Sequence, residues 1–303
     1  MQSLLRFARS LRGRSEWHSS RSRGFNATMS YIARSLLHWR QHAAWLAFLE
    51  APAMVGLTSL DRTLIERYQH RYMNRHWSMS QRLAATREHY AFALSRFPNR
   101  LFDRLYRARG VPLGQLTLRD GSSLSLSLKA PTLRAREGEL SISLVDEQGL
   151  QISYATVSFV ENGRTVIIGC LQGAANNAGR DVIRDLTRQS HGLRPKNLLL
   201  SMIRSLAEAM GAERILGIGN EAHPFASRKK IKADYDAFWL ENGGVADAQG
   251  FYAMSVHEPL RSESMVESKR RSEFRRREAL RREACDLLVA AFASPRVVLA
   301  RAA

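Results

Sequence analysis

Acidic residues are scarce. Asp and Glu total 28 against 46 Lys and Arg, leaving a net charge of +18 and an isoelectric point near 10.9. Such a surplus points to anionic surroundings: nucleic acid, a phospholipid surface or a phosphorylated ligand. Cysteine is scarcer still, with Cys170 and Cys285 alone. Two thiols build no disulfide framework and show no metal-ligand spacing, which fits a reducing compartment and a core role for Cys170. No apolar run reaches membrane-spanning length, since the longest candidate, residues 43–57, is broken by Glu50 and Pro52. The first 40 residues hold one acid, Glu16, and no secretory h-region. They read as a disordered basic arm over 1–30 or as an organellar leader, and a cytoplasmic location is expected.

What is present divides by period. Residues 31–110 carry helical patterns, with helices expected from Asp61, from Ser80 to Pro98, and around Phe102 and Tyr106. From residue 111 the period becomes two. Leu124, Leu126 and Leu128 alternate with serines, and Leu140, Ile142 and Leu144 repeat the alternation. Asp120-Gly121 and Asn162-Gly163 are hairpin turn signals. Val166 to Leu171 is a continuous apolar strand. This predicts a meander of about five strands. After residue 175 the pattern reads helix, helix, strand, helix, strand, giving an α/β unit over 111–260. Residues 261–303 read as a basic helical tail, with Glu267–Arg271, Glu273–Arg277 and Glu278–Arg282 spaced for ion pairs on a solvated helix. The predicted class is α+β: a mixed, mostly antiparallel sheet flanked by helices, with a helical region before it and a basic helix after it.

The chemistry-bearing residues concentrate between Cys170 and Trp239. Gly192-Leu193-Arg194-Pro195-Lys196-Asn197 opens an amphipathic helix whose stripe is Leu198, Leu199, Met202, Ile203, Leu206 and Met210. Pro195 suits the first turn, and the amides that follow, with Arg194 and Lys196, would hold a phosphate or carboxylate. A rigid helix start with solvated basic side chains is the competing reading. His191 and His223 are candidate acid–base groups, with structural loop histidines as the alternative. Asn220 ends a strand, where it could face a ligand or cap a loop. Tyr235 and Trp239 share a helix face, which packing explains well. Asp234 and Asp236 could pair with Arg228, Lys229 or Lys230. Arg180, Arg184 and Arg188 form a stripe that extends a groove or faces water.

LQG at 171–173, HGLRPKNLLL at 191–200, the Asn220–His223 turn, KADYDAFW at 232–239 and KRRSEFRRRE at 269–278 together resemble the VirK family over roughly residues 40–285. The resemblance implies a bacterial cytoplasmic protein of unknown activity, linked to virulence, envelope stress and tolerance of antimicrobial peptides, with no established catalytic residues. The strand and helix order is also similar to the Gcn5-related N-acetyltransferase fold. That likeness implies acyl-coenzyme A as cofactor, its pyrophosphate at the helix beginning near Arg194. The chain departs from that fold's Gln/Arg-x-x-Gly-x-Gly/Ala loop and inserts residues 176–190. Two functions are therefore expected. One is an acyltransferase-like domain holding a phosphorylated ligand through Gly192, Leu193, Arg194, Lys196 and Asn197, with Asn220, His223 and Tyr235 on the acceptor side. The other is a non-enzymatic regulator or adaptor, peripheral to the inner membrane or bound to nucleic acid, using its basic ends.

Overall fold

The computed structural model describes residues 1–12, 21–108, 110–131, 136–173, 180–226, 233–259 and 262–293. Its centre is one eight-stranded sheet in the order β1-β2-β3-β4-β5-β6-β8-β7. The strands are β1 Val111–Thr117, β2 Ser123–Lys129, β3 Leu140–Val145, β4 Gln151–Val160, β5 Thr165–Gly173, β6 Arg214–Ile218, β7 Val245–Ala246 and β8 Phe251–Met254. The first five form the expected antiparallel meander. Alternation buries Leu124, Leu126 and Leu128 of β2 while the serines between stay half-exposed. At the β4–β5 hairpin Asn162 and Gly163 both take positive φ, as an Asn-Gly turn requires. Gly163 is fixed twice over, because a Cβ there would enter the Phe92 ring.

β6 lies parallel to β5, pairing Thr165 to Ile168 with Arg214 to Gly217, while the other strand pairs among the described residues are antiparallel. The crossover between them holds α7 Arg180–Gln189 and α8 Pro195–Ala209. α8 packs on β4, β5 and β6, burying Leu198, Leu199, Met202, Ile203 and Leu206 along the expected stripe. α9 Tyr235–Glu241 follows, with Trp239 fully buried above Gly217, where any Cβ would strike the indole. The α+β class and the mostly antiparallel mixed sheet are as the sequence predicts.

The described residues before β1 include α1 Gln2–Ser10, α2 Arg21–Leu37, α3 Trp39–Leu49, α4 Leu57–Leu60, α5 Met79–Arg96 and α6 Asn99–Tyr106. Disorder over 1–30 is thus corrected for the described part of that stretch. The Phe7 ring lies 5.9 Å from Tyr31 and 5.6 Å from Trp39, and the Ser10 and Tyr31 hydroxyls are 2.6 Å apart. The helix expected at Asp61 is instead two short 3-10 turns, Arg62–Ile65 and Arg67–Gln69, the first capped by Asp61 through the Thr63 N–H. α5 begins two residues before the expected Ser80–Gln81 start, at a capping box of Ser78 and Gln81.

The basic tail is also corrected. α10 Arg271–Ala293 is no free solvated helix: Phe274, Leu280, Ala284, Leu288 and Phe292 are buried, and it packs on α8 and β1. Glu278 pairs with Arg281 and Arg277 in place of Arg282, and Glu267 with Lys269 and Arg270 in place of Arg271. One hydrophobic core runs from Trp45 to Phe292. Within the fold, Arg67 is 2% exposed and donates to Glu139, which is fully buried, and to Asp61. Tyr90 adds a 2.8 Å hydrogen bond to the Glu139 carboxylate.

Candidate functional site

The turn before α8 is set by two consecutive positive-φ residues, His191 and Gly192. Arg194 takes the N-cap position and Pro195 the first turn. The first helical hydrogen bond runs from the Leu198 N–H to the Arg194 carbonyl at 3.0 Å, so the amides of Lys196 and Asn197 precede the helical ladder. Beside them opens a cleft of about 450 Å³, lined by Gly192, Leu193, Arg194 and Asn197 together with residues of α9, α10 and the segment after β8.

Four arginines line this cleft: Arg194, Arg204, Arg277 and Arg281. Each faces a carboxylate or carbonyl. Arg194 pairs with Glu241. Arg204 pairs with Glu258 at 3.3 Å and donates to the Asn242 carbonyl at 3.1 Å. Arg281 and Arg277 share Glu278 at 2.5 and 3.5 Å. The set is still incompletely satisfied. Asn197 Oδ1, Arg204 Nε and Arg281 Nε are three of the eight buried side-chain polar atoms without a hydrogen-bond partner among the described residues. Buried polar atoms are ordinarily paired, so three at one cleft single it out.

Lys196 turns elsewhere. Its ammonium lies 5.7 Å from the centre of the Phe238 ring, and burial foremost lowers its pKa, with Cys170 and Asp234 opposing. On that side of α8 is a second, closed cluster. It exists because β5 carries a bulge: Val157 pairs with Ile168 and Thr156 with Cys170, leaving Gly169 over. A Cβ at Gly169 would overlap the Glu137 carbonyl. Glycine there admits the backbone before β3 against β5 and brings Glu137 to Cys170 and His223.

His223 is fully buried. Its Nδ1 accepts the Phe225 N–H at 3.2 Å, which assigns the proton to Nε2. Nε2 is 3.2 Å from Glu137 Oε1, an ion-pair distance whose angle falls short of a hydrogen bond. The imidazole stacks on Tyr235 at 5.4 Å. The Tyr235 hydroxyl accepts from the Leu171 N–H at 3.3 Å and donates to Cys170 Sγ at 3.6 Å. Burial first, then the Glu137 carboxylate, pushes the Cys170 thiol up. Burial and then Cys170 push Tyr154 and Tyr235 up. All three stay protonated at neutral pH, so the thiol is no thiolate nucleophile there. Glu137, at 15% exposure, and the half-buried Tyr154 reach solvent, whereas Cys170, His223 and Tyr235 are buried.

The structure thus divides the sequence-derived candidates. Gly192, Leu193, Arg194 and Asn197 line one cleft and Lys196 leaves it. His223 and Tyr235 lie buried behind and do not open onto it. Asn220 is a capping residue: its side chain accepts the Tyr235 N–H at 2.8 Å and donates to Asp234 at 2.9 Å. Asp234 caps α9 through the Ala237 N–H, and Asp236 accepts the Asn220 N–H. Arg228, Lys229 and Lys230 lie outside the described residues. His191 stands near Arg276 and Arg119, and burial with those charges lowers its pKa. Arg184 and Arg188 are exposed and pair with Asp181 and Asp185. The sequence reading missed Arg204, Arg281 and Glu137. Arg204 did leave a signal, a charge inside the apolar run Leu198–Leu206. Glu137 sits in a polar loop and left none.

Among the described residues no helix is long and apolar enough to cross a membrane. The chain is 30% identical over 270 residues to the uncharacterized protein YbjX of Escherichia coli, covering 86% of this chain and 80% of that one. It is 27% identical over 209 residues to an uncharacterized protein of Haemophilus influenzae, covering 68% and 69%. It is 23% identical over 207 residues to a Mannheimia haemolytica protein named membrane protein LapB, covering 67% and 87%. A solved cAMP-binding acyltransferase of Mycobacterium smegmatis superposes with a TM-score of 0.30 at 13% identity, covering 69% of this chain and 61% of that one. The family described as a protein of unknown function, DUF535, matches residues 20–285, and this chain belongs to it.

Proposed function

We propose that this protein binds a phosphorylated small molecule in the cleft at the start of α8, and that the reaction class it serves is acyl transfer from an acyl-coenzyme A. The observation that carries the binding is the pair of donors Arg204 Nε and Arg281 Nε, both without partners among the described residues, at a cleft beside a helix start. Four arginines against three glutamates leave the cleft positive, and phosphate can replace carboxylates around guanidinium groups. Partly exposed pairs such as Arg194–Glu241 are weak enough to exchange. The acyl-transfer part rests on the order of strands and helices and on the parallel β5–β6 crossover. In it Glu137, not His223, would meet an acceptor, because Glu137 has access to solvent.

Thermal-shift titration with coenzyme A, acetyl- and long-chain acyl-coenzyme A and adenosine bisphosphate is the test. Stabilisation is expected, weakened about tenfold or more in apparent affinity by Arg277→Ala, which removes one charge-assisted contact at the cleft's lip. A folded sample that none of these ligands stabilises would overturn the reading.

A further inference from the structure

α2 presents two stripes. Gly24, Tyr31 and Ser35, spaced at seven and four, face inward and are buried. The inward face is fastened. The Tyr31 hydroxyl bonds Ser10 at 2.6 Å and His42 Nε2 at 2.8 Å, and Ser35 accepts from Gln69 at 2.9 Å. Phe25, Met29, Ile32 and Leu36, spaced at four, three and four, share another face. Phe25 is 63% exposed, Met29 42% and Leu36 56%, with Leu37 beside them at 79%. A row of this length runs about 16 Å along the helix. The buried bonds fix the helix, so these side chains cannot rotate inward to hide.

α1 repeats the plan. Ser10 is buried and Phe7 packs on Tyr31, while Met1, Leu4 and Leu5 are exposed. Seven of the thirteen exposed large apolar side chains among the described residues fall within the first 37 positions. The same segment is rich in positive charge: eight arginines and the single acid Glu16 precede Glu50, which pairs with Arg6 and Arg9 of α1. A water-facing helix would not concentrate apolar groups this way, and such a patch marks a contact surface. A protein partner or a second copy would ordinarily bring charges of both signs. Exposed apolar side chains on a segment with this surplus of arginine match an anionic bilayer, where the apolar row enters the headgroup boundary and guanidinium groups meet phosphate.

We infer that α1 and α2 form a membrane-surface anchor that holds the protein flat on anionic phospholipid without spanning it. The cleft at α8 plays no part in this surface, so the two readings stand or fall separately.

The test is co-sedimentation of the full chain with vesicles of phosphatidylcholine alone and with added phosphatidylglycerol. Binding is expected to need the anionic lipid and to weaken as salt rises. Phe25→Glu/Met29→Glu should cut partitioning about tenfold or more while leaving the thermal transition in place, because both side chains are exposed. Met29→Leu should bind as the parent does. Equal partitioning of the parent and the double glutamate variant would overturn the anchor. So would a dimer in analytical ultracentrifugation that the same variant dissociates, with no vesicle binding by the parent.

Discussion

His89 has no access to water. Its Nδ1 accepts the Phe159 N–H at 3.1 Å and its Nε2 meets the Tyr106 hydroxyl at 2.7 Å, so the neutral ring is fully used. Burial, with the Arg67 charge adding to it, lowers its pKa from 6.5 to about 3. The unfolded chain takes up that proton near the ordinary value and the folded chain does not. Acid therefore favours unfolding across the interval between them. Stability from this residue is complete above the ordinary range and falls by about 1.4 kcal/mol per pH unit below it. Urea denaturation at pH 7 and pH 5 should show the drop, and His89→Gln should flatten it by about one proton's worth. An unchanged slope in the variant would assign the acid sensitivity to other groups. His89 was not legible as a buried residue, since its partners lie 17 and 70 positions away.

Among the elements, those written in local pattern were legible and those written in distant pairing were not. The β2 alternation, the Asn162-Gly163 turn and the α8 stripe each declare themselves within a dozen residues. α10 was legible as a basic helix but not as a packed one, because six arginines are interspersed among the residues it buries, Phe274, Leu280, Ala284, Leu288 and Phe292. α1 failed for the opposite reason: its few apolar residues gain an ordered place only against Tyr31 and Trp39. Of the site, the α8 start was legible, while Glu137 reaches His223 only through the bulge at Gly169. Local chemistry also sets the start of α5. Ser78 accepts the Gln81 N–H at 3.3 Å and the Gln81 side chain accepts the Ser78 N–H at 2.8 Å. Ser78→Ala should cost about 1 kcal/mol in global stability. Chemical denaturation measures it, and Ser78→Asp should recover most of the loss. No loss in Ser78→Ala would mean that packing alone places that end.

At the scale of the whole molecule, Arg67 and Glu139 join the helical segment to the sheet across 72 positions of sequence. Taking two charges out of water is costly, and removing one partner is worse because the other stays buried. Arg67→Met should lower stability by about 3–5 kcal/mol, and Arg67→Met/Glu139→Gln by clearly less, in equilibrium unfolding. Additive losses would mean that the two groups do not act as a pair. The sheet order carries a different consequence. β1 to β5 can pair as they leave the ribosome, each with the strand just made. β6 has its parallel neighbour already but must await β8, and the Asn74 amide must await the Gln249 carbonyl 175 positions later. A nascent chain therefore carries an unfinished seam beside β6 until translation is nearly over, and a message cut short before β8 would yield a product that keeps its meander but cannot close.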